Sequence, residues 1–181
     1  MNKRFKSPIF IAAILVFITA CSGQAFRAES AKPDQMVKGG YPAVLGKSVS
    51  DRDVTDFIAN NNCSPEAGFQ LCKDVGMALW VNSNQIINTV YLYSGNVNGF
   101  RRYRGELPFG LTFYDPMWKV QEKLRNSNAN DTLQQAGLPD EGSSPDHIHY
   151  WAVYKRLDMT VIYNSPAADE DAYIYAILIN E

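Results

Sequence analysis

Two eight-residue segments constrain this chain more than anything else in it. Val75-Gly-Met-Ala-Leu-Trp-Val-Asn82 and Leu157-Asp-Met-Thr-Val-Ile-Tyr-Asn164 both alternate with period two, place Met77 and Met159 at matching positions, and run into Asn-Ser. Such alternation marks a half-buried strand, because successive side chains leave opposite faces of the backbone. Each segment is followed by a second apolar stretch, residues 86–93 and residues 172–179, the latter after the acidic turn Asp169-Glu170-Asp171. A strand-turn-strand pattern that recurs in one chain predicts an antiparallel sheet assembled from two similar halves.

What precedes each strand pair recurs as well. After Leu45-Gly46, Ser50 is placed to cap a helix with Asp51 and Asp53 in its first turn and Val54, Phe57 and Ile58 on one face. After Phe109-Gly110, Asp115 is a predicted N-cap, Pro116 takes the first helical position, and Met117, Val120 and Leu124 recur with helical spacing. Val54 then corresponds to Val120, and Ile58 to Leu124. Residues 147–154 make a third strand in the second half, matched near residues 69–73 in the first. Residues 126–144 are rich in Asn, Asp, Gly, Ser and Pro and read as a long surface loop with a helical turn at 132–136. The predicted fold class is α+β: two tandem helix-plus-antiparallel-strand repeats, about 41–100 and 101–181, forming one sheet with helices packed on one face.

The N-terminus carries a different message. Lys3, Arg4 and Lys6 precede an apolar run over residues 9–18 and then Thr19-Ala20, the layout of a signal peptide. About ten apolar residues fall short of the roughly 30 Å hydrocarbon core that a spanning helix must cross. Ile18-Thr19-Ala20-Cys21 resembles the bacterial lipobox, which implies cleavage before Cys21 and diacylation of that cysteine; Ser22 resembles the pattern for transfer to the outer membrane. The expected organisation is a signal peptide (1–20), a lipidated flexible tether (21–40) and a single globular domain (41–181) facing the periplasm. Once Cys21 takes the lipid, Cys63 and Cys72 remain as an even pair in an oxidising compartment and are expected to form a disulfide.

Removal of the signal leaves 14 basic against 19 acidic side chains, a net charge of -5. That balance opposes nucleic-acid binding, which needs a basic face. The only basic cluster is Arg101, Arg102 and Arg104, which reads either as a solvated linker between the halves or as a dock for an acidic partner or anionic lipid head groups.

A helix introduced by a short Gly turn, followed by antiparallel strands and duplicated in an exported chain, resembles the beta-lactamase-inhibitor-protein fold and the related SmpA/OmlA-type outer-membrane lipoproteins. The stretch Tyr103-Arg-Gly-Glu-Leu-Pro-Phe-Gly-Leu111, with residues 120–124, Trp151 and Tyr154, is also similar to bacterial proteins of toxin-immunity loci. The resemblance covers roughly residues 40–181 and departs where Leu124 is followed by Arg125-Asn126 instead of Gly-x-Pro. It implies a partner-binding role: an inhibitor or immunity protein of a toxic hydrolase, with an envelope scaffold or assembly lipoprotein as the alternative.

The sequence offers little for catalysis. Gly-x-Ser-x-Gly, His-Glu-x-x-His and phosphate-cradling Gly-rich loops are absent, and the carboxylate pairs Glu106 with Asp115 and Glu66 with Asp74 follow no spacing rule. No enzyme activity and no cofactor are expected. His147 and His149, in Asp146-His-Ile-His-Tyr150, share one face of a strand, but no further Cys or His completes a typical metal site, so none is assigned. Trp80, Tyr91, Tyr93, Tyr150, Trp151, Tyr154, Tyr163, Tyr173 and Tyr175 fall on predicted strands, where each ring is either core or exposed platform. Exposed Tyr and Trp supply rigid contact area of the type enriched at protein interfaces. Trp80, Tyr91, Tyr93, Trp151, Tyr173 and Tyr175 are accordingly the candidate protein-binding residues.

Overall fold

The structure, a computed structural model, describes residues 40–126 and 149–181. The predicted signal peptide, Cys21, all of the tether but Gly40, the surface loop from residue 127 onward, Asp146 and His147 lie outside the described residues.

The described residues form two helices, α1 (Arg52–Asn60) and α2 (Met117–Asn126), and seven strands: β1 (Ser64–Glu66), β2 (Phe69–Cys72), β3 (Met77–Val81), β4 (Ile87–Tyr93), β5 (Tyr150–Tyr154), β6 (Met159–Tyr163) and β7 (Ile174–Asn180). All seven strands join one antiparallel sheet in the order β1-β2-β3-β4-β7-β6-β5. The last strand of each half therefore meets the other at the centre.

Registers on either side of that centre run in parallel. Met77 faces Leu92 and Leu79 faces Val90 in the first half; Met159 faces Ile179 and Val161 faces Ile177 in the second. Across the junction, Val90 pairs with Ile179 and Leu92 with Ile177, flanking the pair Tyr91 and Leu178. Met77, Leu79, Val90, Leu92, Met159, Val161, Ile177 and Ile179 are all buried. Fully burying an aliphatic side chain of this size stabilises by about 1.5–3 kcal/mol. Val54 and Phe57 of α1 and Met117, Val120 and Leu124 of α2 belong to the same buried cluster.

The turns also correspond. Between β2 and β3, Lys73–Val75 form a 3-10 turn closed by Gly76 with φ 71°; between β5 and β6, Lys155–Leu157 do the same and Asp158 closes the turn with φ 46°. Val75 and Leu157, read from sequence as the first strand residues, belong to these turns. After β3, the Asn82 carboxamide oxygen accepts the Ile86 N–H at 3.0 Å, and after β6 that of Asn164 accepts the Tyr173 N–H at 2.9 Å. Each asparagine N–H also donates to the carbonyl of that returning residue.

Strand β1 was not expected, since Ser64-Pro65-Glu66 has no apolar pattern. It exists because Ala67 (φ 48°) and Gly68 (φ 86°) both take positive φ, as a tight two-residue hairpin turn requires, and so fold the chain back onto β2. The disulfide between Cys63 and Cys72 ties the residues after α1 to the end of β2.

Both predicted caps need correction. Helix α1 starts at Arg52 with Asp51 at the N-cap, and the Ser48 hydroxyl oxygen accepts the Ser50 N–H at 3.2 Å, so Ser50 lies in the preceding turn. Helix α2 starts at Met117, one residue later than expected, and Pro116 accepts the N–H groups of Lys119 and Val120. The Asp115 carboxylate accepts the Thr112 N–H at 2.7 Å in place of a helix N–H.

Candidate functional site

The alternation that buries Met77, Leu79, Val90 and Leu92 sends their neighbours to the opposite side of the sheet. Trp80, which pairs with Phe69 and Thr89, is on that side, as are Tyr91 and Tyr93. One row of directly opposed residues runs Tyr93, Ala176, Ile162, Trp151 across four strands. At about 4.8 Å per strand, Tyr93 and Trp151 stand roughly 14 Å apart over a floor of smaller side chains.

The rings on this side touch in series. Phe69 meets Trp80 edge-on with centroids at 4.6 Å and Tyr91 edge-on at 5.6 Å. Tyr91 stacks with Tyr93 at 6.4 Å, and Tyr93 with Phe100 at 4.2 Å. Such contacts add about 0.5–1.5 kcal/mol each beyond area burial and restrict how the rings can turn. Trp80 is 36% exposed, whereas Phe69, Tyr91 and Tyr93 are half-buried. The Tyr93 hydroxyl has its pKa pushed up by burial and by the neighbouring hydroxyls of Tyr91 and Tyr175, so it stays a neutral donor across the biological pH range.

Tyr175 reaches this group from β7, its ring stacked on His149 at 3.9 Å, and His149 Nδ1 lies 3.1 Å from the Tyr163 carbonyl oxygen. The imidazole is thus fixed by a ring contact and a backbone contact. Among the described residues no three His, Cys, Asp or Glu side chains gather as a metal site would require.

Tyr173 alternates against the buried Ala172 and Ile174, as Tyr175 does against Ile174. Strand β7 begins at Ile174, directly after it, and the register shift between Ile162 and Tyr163 falls opposite Tyr175, between Ile174 and Ala176. Tyr173 bridges Pro116 through its backbone and is 50% exposed, near the start of α2, where the Trp118 N–H donates to the Glu170 carbonyl. Tyr150, Tyr154 and Tyr163 take the other alternative weighed from sequence. They are buried in the core, and burial raises the pKa of each.

Sequence reasoning missed Phe69 and Phe100 as members of the aromatic series. Phe69 had its signal, standing in a recognised strand opposite Trp80. Phe100 sits in the connection between the halves, outside any period.

The connection is otherwise tied down by its arginines. Arg102 lies over the Tyr114 ring at 4.7 Å, hydrogen-bonds the Tyr114 hydroxyl and donates from Nε to the Ser94 carbonyl at 2.8 Å. Arg101 pairs with Asp74 at 3.7 Å, and between these arginines and Arg104 the buried Tyr103 accepts the Tyr41 N–H on its hydroxyl oxygen.

Of the candidate carboxylates, Asp74 and Asp115 are likewise engaged. Asp115, nearly inaccessible, meets Lys123 Nζ at 2.6 Å and Lys119 Nζ at 3.6 Å, and Lys123 also donates to the Gly110 carbonyl at 2.7 Å. Burial works to raise the Asp115 pKa, but the hydrogen bonds from Lys123 and Thr112 and the Lys123 charge outweigh it, and the net shift is downward. An ionised, lysine-bound carboxylate is a structural clamp, poorly suited to exchange protons near neutrality.

Comparison with known proteins finds no matching protein family, no matching curated protein and no matching solved structure.

Proposed function

We propose that this chain is a periplasm-facing lipoprotein, anchored through Cys21, that binds another protein with the aromatic side of its sheet and performs no catalysis. The observation that carries this reading is the linked series Phe69, Trp80, Tyr91, Tyr93 and Phe100 on the side opposite the buried aliphatic cluster. Rings already braced by one another lose little further freedom on contact, so the affinity they supply is not spent on ordering them. An inhibitor or immunity protein of a hydrolase has this need for a rigid, pre-formed surface.

The same reading takes the two halves as tandem repeats with both helices on the buried face. Its support is the matched registers, the paired 3-10 turns and the equivalent asparagines 82 and 164. Duplication brings two strand sets to one platform, which a single half-sheet would be too narrow to offer.

Affinity capture with the full lipidated chain, followed by mass spectrometry, identifies the partner. Trp80→Ala and Tyr93→Ala should then each weaken binding by about 2 kcal/mol, roughly thirtyfold, as expected for rings central to an interface. Unchanged affinity in both variants, with unfolding midpoints at the wild-type value, would remove the aromatic side as the recognition surface.

A further inference from the structure

The two outer edges of the sheet differ in what they can pair with. An edge strand presents unpaired N–H and C=O groups, a template for another strand unless its own residues block it. On one edge, β1 is three residues long, exposed throughout, and reads Ser64-Pro65-Glu66. Proline supplies no N–H, and the glutamate charge resists burial against another chain, so this edge is closed to pairing.

The other edge, β5, reads Tyr150-Trp-Ala-Val-Tyr154, five residues without charge, Pro or Gly, and no described strand pairs with its outer side. The Tyr150 N–H turns inward to the Ser165 carbonyl at 2.6 Å. By alternation Ala152 and Tyr154 also direct their backbone groups toward β6, leaving those of Trp151 and Val153 aimed outward.

We infer that β5 pairs antiparallel with β5 of a second copy, about a two-fold axis at Ala152, joining two sheets into one. The strand is nearly self-complementary in that register. Tyr150 falls opposite Tyr154, and Trp151 opposite Val153 in the doubly hydrogen-bonded positions, an aromatic and β-branched pairing of the kind that stabilises sheets. Ala152 meets its own copy with no side-chain bulk between the strands. No like charges oppose one another within the five residues. The chain already uses this arrangement internally, where β4 and β7 join two half-sheets antiparallel around Tyr91 and Leu178. Two-fold pairing is also the commonest closed symmetry for two identical chains. The inference stands apart from the recognition surface proposed above, although the joined sheet would set two Trp151 side chains side by side on the aromatic face.

The test is a register-specific cross-link in the full chain. Across the axis the Ala152 positions form a non-hydrogen-bonded pair with Cα atoms about 4.5 Å apart, within disulfide reach. Ala152→Cys should give a dimer on non-reducing gels that reductant removes, whereas Val153→Cys, which faces Trp151, and the wild type should run as monomers. A folded Ala152→Cys that stays monomeric under oxidation overturns the pairing, as does equal cross-linking at position 153. Because Ala152 is fully buried, Val153→Pro gives a second reading: it deletes an outward N–H and leaves the ladder to β6 intact. Light scattering of the detergent-solubilised chain should show twice the chain mass for wild type and one chain mass for Val153→Pro at an unchanged melting temperature. A monomeric wild type, or a dimer that survives the proline, rejects the inference.

Discussion

In the first half of the sheet the turn from β2 into β3 closes on Gly76, and in the second half the turn from β5 into β6 closes on Asp158, both in the left-handed region. The backbone plan is the same, yet only one position demands glycine. A Cβ at residue 76 would lie 2.4 Å from the Arg101 carbonyl oxygen and 2.4 Å from the Tyr103 nitrogen, backbone atoms that cannot swing aside. The connection between the halves packs against the first turn, and its Arg101 N–H is held by the Lys73 carbonyl. The two turns therefore differ because one of them carries a tertiary contact, and local conformation alone would not distinguish them.

The sharpest way to break that comparison is Gly76→Ala. Left-handed strain costs about 1–2 kcal/mol and overpacking a tight site about 1–3 kcal/mol more, so a loss of roughly 3–4 kcal/mol is expected in chemical denaturation. A loss under about 1 kcal/mol would mean the connection yields readily and does not clamp the turn.

The halves are also fastened by different chemistry. Near α2 the fastening is ionic: Asp115→Ala leaves the Lys123 ammonium facing the Gly110 carbonyl alone and orphans the Thr112 N–H, for a loss of about 3 kcal/mol. Its pH dependence has a definite sign. Because the folded pKa is depressed, the stabilisation is present above the unfolded value of about 3.9 and is lost as pH falls through the folded pKa. Urea midpoints of wild type and Asp115→Asn should therefore converge in acid, and a gap that persists there would assign the effect to packing. Near α1 the fastening is covalent: Cys63→Ser opens a short loop whose closure is worth about 2.5 kcal/mol and leaves the Cys72 thiol buried. Thermal denaturation under reducing and non-reducing conditions checks it, since reductant should lower the wild type to the level of the variant.

What could be read from the sequence follows from where the physics is local. Period-two alternation placed β3 and β6, because a strand half-buried in a sheet must alternate whatever surrounds it, and the apolar runs after them and the match between the halves placed β4, β7, β5 and β2. β1 was invisible since its pairing comes from the backbone of Ala67 and Gly68 and not from any buried side chain. The Asp115 cap failed for a different reason: an aspartate that can cap a helix can equally be captured by lysines one and two turns further on, and only the packed geometry decides. For the aromatic residues, type was a poor guide and parity a good one. Tyr163 shares its side with Met159 and Val161 and is core, whereas Tyr91 and Tyr93 alternate against Val90 and Leu92 and are not. The register shift beside Tyr163 falls opposite Tyr175, and no residue pattern announces it, yet Tyr173 still alternates against the buried Ala172 and Ile174.

The smallest expected effect sharpens the comparison most. Asp158→Gly installs at the second turn the residue that the first turn cannot do without. Aspartate is among the side chains that tolerate the left-handed region, so the strain relieved is below about 1 kcal/mol. Glycine in turn enlarges the freedom of the unfolded chain, a penalty of about 0.4–1 kcal/mol in the opposite direction. The Asn180 N–H donates to the Asp158 carbonyl at 2.7 Å, a backbone contact that the substitution leaves in place. The two terms nearly cancel, and the unfolding free energy should move by less than about 1 kcal/mol either way. If Asp158→Gly instead costs 2 kcal/mol or more, the aspartate side chain holds the turn in a way that Gly76 has no means to match. The two turns would then share a shape without sharing a cause, and the equivalence of the two halves would lose one of its supports.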